Sequence, residues 1–286
     1  KKERVKIIET LKKTGLPLEI EVRRKLMKLG ISKIHQSRYF VKNQYGDVSR
    51  DTDAIGELIF KTFEHKNTRE YFALCLQLQL IVEIKKMKQS KICFYEVENE
   101  KPENFPFVFP NFLWINNLGY GGGHKLLSEV NQEIGNFKIA KSISYLQYPQ
   151  SKSKNNDTLE YEDKGNSPIF DIANDLILAC EYHHKKSISW ITKPDHFKYN
   201  GLFPMLVTEA ELVQVTVDDN KINLKPAEYF FYLLPCRDLD LVPITAKEHY
   251  YIPILIINHK KLDKSIELIK KISNNLYNEC KTKIET

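Results

Sequence analysis

Three features that often reveal a function are missing from this chain of 286 residues. Its five cysteines are scattered and form no C-x-x-C pair, which argues against a zinc ribbon or a redox motif. No apolar run reaches about 18 residues, so the sequence predicts no transmembrane helix. The N-terminal stretch KKERVKIIETLKK lacks an apolar signal core, so secretion is not indicated. Together these absences favour a reducing, cytoplasmic location.

The composition is that of a globular protein with a modest excess of positive charge. Hydrophobic residues make up 42% and charged residues 28% of the chain, and the formal net charge is +6. This charge is compatible with a polyanionic partner such as a nucleic acid, but it does not require one. Because no clean linker interrupts the sequence, we expect a single domain over residues 1–286.

The spacing of apolar residues predicts an alternation of helices and strands. Helices are predicted over 5–11, 16–29, 171–185 and 264–279, and strands over 37–42, 52–60, 76–86 and 91–97, with β-rich segments over 204–257. Turns are predicted at 45–47 and 218–220, and polar loops over 63–69 and 149–168. This order is typical of a mixed α/β domain.

The clearest pattern is LQLQLIVEIKK at residues 76–86. Apolar and polar residues alternate along it, which is the period of a β-strand. One predicted face carries Leu76, Leu78, Leu80, Val82 and Ile84, and the other carries Gln77, Gln79, Glu83 and Lys85, with Ile81 among them. Glu83 and Lys85 therefore share a face, while Lys86 points the other way.

A second strand could bring Asp53 beside Glu83. Two carboxylates on neighbouring strands would form an oxygen-rich site for a hard cation such as Mg²⁺. A lysine next to that ion could orient a water and offset charge that develops on a phosphate. Asp51 lies two residues from Asp53, so we expect it on the same strand face as a competing ligand.

Three stretches in a fixed order resemble the PD-(D/E)XK nuclease superfamily, which has the restriction-endonuclease-like fold. They are TGLPLEIEVRRKLMKLGI, then RDTDAI, then LIVEIKK, and within the superfamily they are similar to Mrr-like restriction endonucleases. Glu19 matches the helix glutamate, Asp53 the motif aspartate, and Glu83 and Lys85 the E-x-K pair. Thr52 stands where the family pattern has a proline. The following KICFYEVEN resembles the strand that closes the family's core sheet.

The resemblance implies an α/β fold with a restriction-endonuclease-like core. In such a fold a mixed central sheet is flanked by helices, and here a β-rich C-terminal elaboration would be added. The motif-bearing core would cover about 14–97, an elaborated middle about 100–170, and a C-terminal completion about 171–286.

The resemblance also implies metal-dependent hydrolysis of phosphodiester bonds, leaving a 5′-phosphate and a 3′-hydroxyl. Asp53 and Glu83 would hold Mg²⁺, for which Mn²⁺ could substitute. Lys85 would position the attacking water, and Glu19 would hold a second ion or order its waters. The expected activity is that of an endonuclease acting on DNA in restriction or defence, with no membrane partner, and a homodimer would suit double-strand cutting.

Other readings of the same residues stay open at this point. Glu83 and Lys85 could be a solvated strand face with a weak ion pair. Asp53 could simply end a strand, and Glu19 could stabilise a helix dipole. The protein could also be an RNA nuclease, or an inactive nucleic-acid-binding or scaffold protein with the same fold.

Three further motifs have an ordinary structural explanation beside a functional one. The run Gly119 to Gly123 could cradle a phosphate, but it lacks Walker spacing and reads as a loop. His183 and His184 are neighbours on a predicted helix, where a shared metal is difficult to form. The aromatic residues of 105–114 could stack on bases, although packing is the commoner use.

Overall fold

The computed structural model describes residues 2–43, 46–66, 71–87, 89–96, 138–147, 162–165, 167–188, 196–218, 221–235 and 251–285. The helices are α1 (Lys2–Lys13), α2 (Leu16–Lys28), α3 (Ser167–Ile188) and α4 (Leu262–Glu285), and a 3-10 turn (His259–Lys261) precedes α4. The strands are β1 (Ser32–Asn43), β2 (Gly46–Lys66), β3 (Tyr71–Lys85), β4 (Ser90–Glu96), β5 (Ile139–Gln147), β6 (Glu162–Asp163), β7 (His196–Thr208), β8 (Glu211–Asp218), β9 (Lys221–Ala227), β10 (Tyr229–Pro235) and β11 (Tyr251–Asn258).

Helix α2 ends within one residue of the predicted boundary. Proline stands in its first turn, where a missing backbone N–H costs nothing. Gly30 follows the helix with a φ of 87°, a left-handed conformation that glycine adopts without steric cost. The buried residues Leu18, Val22 and Leu26 form the predicted apolar stripe, which fixes the helix on the sheet.

The described strands form one mixed sheet in the order β1-β2-β3-β7-β11-β10-β5-β4-β8-β9, with β6 added beside β5. Strands β1, β2 and β3 are antiparallel neighbours, whereas β7 runs parallel to β3 and β11 runs parallel to β7. The α/β class is therefore confirmed, with a large mixed sheet and helices packed on it.

Helices cover both faces of the sheet around β3. Leu80 and Val82 belong to a core shared with α2 and α4, and Ile81 belongs to a second core shared with α3. Strand β3, antiparallel to β2 and parallel to β7, therefore lies inside the sheet with both of its faces covered. The alternation predicted for 76–86 is confirmed, but its polar face is covered, and Glu83 is only 5% exposed. The solvated-face reading of Glu83 is therefore wrong.

Two sequence expectations need correction. Residues 63–66 belong to β2 rather than to a loop, because they continue the backbone ladder with β3 down to the Lys66–Tyr71 pair. Within 149–168, Glu162 and Asp163 form the short β6 against β5, and α3 begins at Ser167. Strand β3 lies between β2 and β7, while β4, the KICFYEVEN strand, lies between β5 and β8.

Some expectations fall on residues that the structure does not describe. They include the glycine run at 119–123, the aromatic residues of 105–114, and parts of the turns at 45–47 and 218–220. In the described chain, no helix is both long and apolar enough to cross a membrane.

Candidate active site

A β-bulge places Asp53 at the start of the site. His35 pairs with Ile55 and Ser37 pairs with Thr52, so β2 contains one more residue than β1 between these two pairs. Asp53 and Ala54 consequently lie opposite a single residue of β1. Bulges of this kind re-aim a side chain and occur often next to active sites.

Beyond the bulge, the Asp53 side chain accepts a backbone hydrogen bond from β3 where the regular β2–β3 pairing ends. The regular pairing reaches Ala54–Val82, and Asp53 is the next residue along β2. Its Oδ2 accepts a hydrogen bond from the backbone N–H of Ile84 at 2.7 Å. A backbone donor of β3 thus fixes the carboxylate beside the E-x-K residues.

Glu83 and Lys85 form a close ion pair next to Asp53. Lys85 Nζ lies 2.8 Å from Glu83 Oε2 and 3.8 Å from Asp53 Oδ2. The two residues share a face of β3, and the parallel pairing with β7 continues through both of them. One ammonium group therefore stands between two carboxylates from neighbouring strands.

The electrostatics of Glu83 are unusual for a carboxylate in contact with a lysine. Its pKa is raised to about 7, first by burial and then by the charge of Asp53, against the opposing effect of Lys85. Desolvation disfavours the ionised form, and a second carboxylate adds repulsion. A second cation at this point would offset the repulsion between the carboxylates of Glu83 and Asp53.

Lys85 responds in the opposite direction to its surroundings. Burial alone would lower its pKa, but Glu83 and Asp53, together with the more distant Asp175, raise it. The ammonium group therefore stays charged at neutral pH while its side chain is 39% exposed. A phosphate or a polarised water at this point would therefore contact an exposed ammonium group.

Helix α2 joins the site through Arg23 and Glu19. Arg23 donates a hydrogen bond from Nη2 to the backbone carbonyl of Asp53, and the same atom lies 3.7 Å from Glu19 Oε2. The pKa of Glu19 is raised by burial and then by Asp53, whereas Arg23 and Lys85 lower it. Glu19 stands in the first turn of α2, as the helix-dipole reading also requires.

Two neighbours of the motif residues point away from the site. Lys86 Nζ donates to the backbone carbonyl of Thr14, as expected for a residue on the other face of β3. Asp51 pairs with Arg38 at 3.1 Å. The expectation that Asp51 shares a face with Asp53 is wrong, because the bulge interrupts the two-residue alternation between them.

Sequence reasoning missed three residues that border the site on the α3 side. Tyr39 donates from its hydroxyl to the backbone carbonyl of Asp175 at 3.1 Å, and Arg50 Nη1 donates to Asp175 Oδ1. Tyr39 and Arg50 face each other across β1 and β2. Because 125 residues separate Arg50 from Asp175, no local pattern could have linked them.

The remaining predicted residues have plain positions. Gln77 and Gln79 are partly buried on β3, and Gln79 pairs with Glu57 in the ladder. Thr52, in the position of the family's proline, is fully buried. His183 lies on α3 in edge contact with the ring of Tyr182.

The donor set suits a cation that takes few protein ligands. Among the described residues, no three His, Cys, Asp or Glu side chains come together as a complete metal cage. Asp53 and Glu83 do lie side by side, and the charge of Asp53 raises the pKa of Glu83. Mg²⁺ is commonly bound by one or two carboxylates, with waters and substrate phosphates completing its shell. The two carboxylates therefore fit a magnesium ion better than a zinc ion.

Comparisons with known proteins add no family to this description. No protein-family model, no curated protein and no solved structure matches the chain. The site is accordingly characterised by its own geometry: two adjacent carboxylates, a charged lysine between them, and a helix glutamate held nearby by an arginine.

Proposed function

We propose that this chain is a metal-dependent endonuclease that hydrolyses phosphodiester bonds in DNA, with a restriction-endonuclease-like core of the PD-(D/E)XK type. The observation that carries the proposal is that Lys85 lies within 3.8 Å of Asp53 and 2.8 Å of Glu83, while Arg23 links Glu19 to the backbone of Asp53. Glu19, Asp53, Glu83 and Lys85 come from α2, β2 and β3, and they are the four residues that match the family's motif.

The order of elements also supports this proposal. A helix with the glutamate precedes the strand with the aspartate, and the E-x-K strand comes next. Helix α3 then leads to β7, which runs parallel beside β3. Strand β4, which resembles the strand that closes the family's core sheet, lies farther away, between β5 and β8.

In the proposed reaction, Asp53 and Glu83 would hold Mg²⁺ or Mn²⁺, and Glu19 would hold a second ion or order its waters. The metal, when bound, would supply Lewis-acid activation of the phosphate and a lower pKa for water. Lys85 would donate hydrogen bonds that orient the attacking water toward phosphorus. Its positive charge would also offset the charge that develops on the phosphate oxygens.

Cleavage of plasmid DNA with a matched pair of variants tests the proposal. Supercoiled plasmid and a single-stranded DNA oligonucleotide are incubated with the wild type in Mg²⁺, Mn²⁺ or EDTA. We expect cutting in either metal, none in EDTA, and 5′-phosphate ends. Asp53→Asn should abolish cutting, whereas Asp51→Asn, which alters the pair with Arg38, should leave it within about twofold.

Other outcomes would replace the proposal. Binding of DNA without cutting in any metal would favour a nucleic-acid-binding protein that has no activity. Cutting of an RNA oligonucleotide but not of DNA would favour a ribonuclease at the same site. If neither nucleic acid binds at low salt, the nuclease and the binding-protein readings both fail.

A further inference from the structure

Arg50, Asp175 and Tyr39 form a second charged group on the α3 side of the site. Arg50 donates to the side chain of Asp175, and Tyr39 donates to the backbone carbonyl of the same residue. Helix α3 is thus attached to the β1–β2 hairpin at one point by both backbone and side chain. Tyr39 is 1% exposed, so its part of this attachment is buried.

This group is electrostatically continuous with the proposed catalytic residues. Burial raises the pKa of Asp175, while Arg50 and then Lys85 lower it. Burial also raises the pKa of Tyr39, and the charges of Asp175 and Glu83 raise it further. Asp175 is therefore in direct contact with Arg50, and the charge of Lys85 also acts on it.

Arg50 has the exposure and the chemistry to bind an anion from solvent. Its side chain is 44% exposed although it is held by Asp175. A guanidinium group carries five N–H donors in a fixed plane, and the hydrogen bond to Asp175 from Nη1 leaves others directed elsewhere. An arginine whose orientation is already fixed loses little side-chain entropy when it binds a phosphate.

We propose that Arg50, oriented by Asp175, binds a backbone phosphate of the substrate adjacent to the one that is cut at Lys85. This inference rests on the proposed function, since it assigns the phosphate contact to a nucleic-acid substrate of that site. Asp175 is a positioning residue in this arrangement, because it acts through Arg50. Arg50 acts by contact with the substrate.

The other side of the same hairpin offers a matched control. Arg38 and Asp51 also form an arginine–aspartate pair, at 3.1 Å, with exposed side chains. Asp51 follows Arg50 directly in β2, so the two residues point to opposite faces of the hairpin. Losing this pair removes the same charges without touching the α3 side.

The test measures binding of a fluorescent duplex DNA by the full chain in EDTA, over a series of salt concentrations. Arg50→Gln should weaken binding about tenfold and reduce the slope of log affinity against log salt by about one. Arg38→Gln should change the affinity by less than about twofold and the slope by no more than a few tenths. Arg50→Lys keeps the charge, so it should keep the slope and lose less affinity. Asp175→Asn should weaken binding with the slope unchanged.

The possible results separate this inference from the proposed function. If the wild type binds and cuts DNA but Arg50→Gln behaves like Arg38→Gln, the phosphate assignment is overturned and the nuclease proposal stands. If the wild type neither binds nor cuts, both are overturned. A melting temperature of Arg50→Gln close to wild type shows that lost affinity is not lost folding. If that variant unfolds, Arg50→Lys decides: we expect a lower affinity with the slope kept, and an affinity equal to that of the wild type overturns the assignment.

Discussion

Two carboxylates of this protein each touch lysine side chains, and they respond in opposite ways. Glu228 lies at the surface, 2.7 Å from Lys261 and 2.8 Å from Lys264, and hydrogen bonds from these lysines lower its pKa. Glu83 lies 2.8 Å from Lys85, yet its pKa is raised to about 7. The contact distances are the same, so they cannot explain the difference.

Burial and a second carboxylate account for the contrast. Glu228 keeps most of its hydration and gains from its lysines, as an ordinary surface pair does. Glu83 has lost its hydration and stands beside Asp53, so the attraction of one lysine does not offset the cost of desolvation and repulsion. A folded chain gains nothing in stability from such a carboxylate in its ionised form. This cost supports a functional use of the buried pair.

The largest expected difference between the two sites is in catalysis. Lys85→Ala should reduce the rate of DNA cutting by at least about 10²- to 10³-fold, because the proposed water and phosphate contacts lose their cation. Lys264→Ala removes a lysine from the surface pair and should leave the rate unchanged. Plasmid nicking under single-turnover conditions measures both. Equal rates for the two variants would contradict the assigned role of Lys85.

Metal binding should show the second-largest difference between the two sites. Mg²⁺ at about 100 times its dissociation constant should stabilise the folded wild type by about 2.7 kcal/mol, because it binds only the folded chain. Asp53→Asn should lose this stabilisation, and Glu228→Gln should retain it. Thermal unfolding with and without Mg²⁺ provides the comparison. A shift that survives Asp53→Asn would place the ion elsewhere.

The pH dependence of stability follows from the raised pKa of Glu83. The folded chain keeps this proton up to about pH 7, whereas the unfolded chain releases it near 4.5. The folded state therefore binds more protons between these values, and the free energy of unfolding falls as the pH rises through them. In EDTA we expect Glu83→Gln to flatten this fall and to be more stable than wild type at pH 8, by about 3 kcal/mol. Urea unfolding from pH 4 to 8 measures it, with the exposed Glu211→Gln as the control.

The surface pair should show the smallest effect, with the opposite sign. Because the pKa of Glu228 is lowered, its contribution is present above about pH 4.5 and is lost as the pH falls through the lowered value. Glu228→Gln should cost less than about 1 kcal/mol at neutral pH, and salt should reduce that cost further. Urea unfolding at low and high salt checks this. A loss as large as the change at Glu83 would remove the contrast between the sites.

Local patterns in the sequence were sufficient for the elements that carry the site. The alternation of 76–86 predicted β3 and put Glu83 and Lys85 on one face, and the structure has both. Proline near the start and glycine after the end bounded α2 within one residue. Such features succeed because they depend on neighbours along the chain. The proximity of Asp53 to Glu83 was also expected, since an antiparallel neighbour of β3 brings it there.

Only the tertiary structure decided how those residues are aimed and which others join them. The bulge at Asp53 has no glycine or proline to announce it, and it sends Asp51 to the opposite face. The burial of Glu83 depends on α3 covering the second face of β3, and Arg50 meets Asp175 across 125 residues. The sequence by itself determined which side chains each strand presents. Packing between distant segments determined their hydration, and hydration sets the pKa of Glu83 and with it the chemistry we propose.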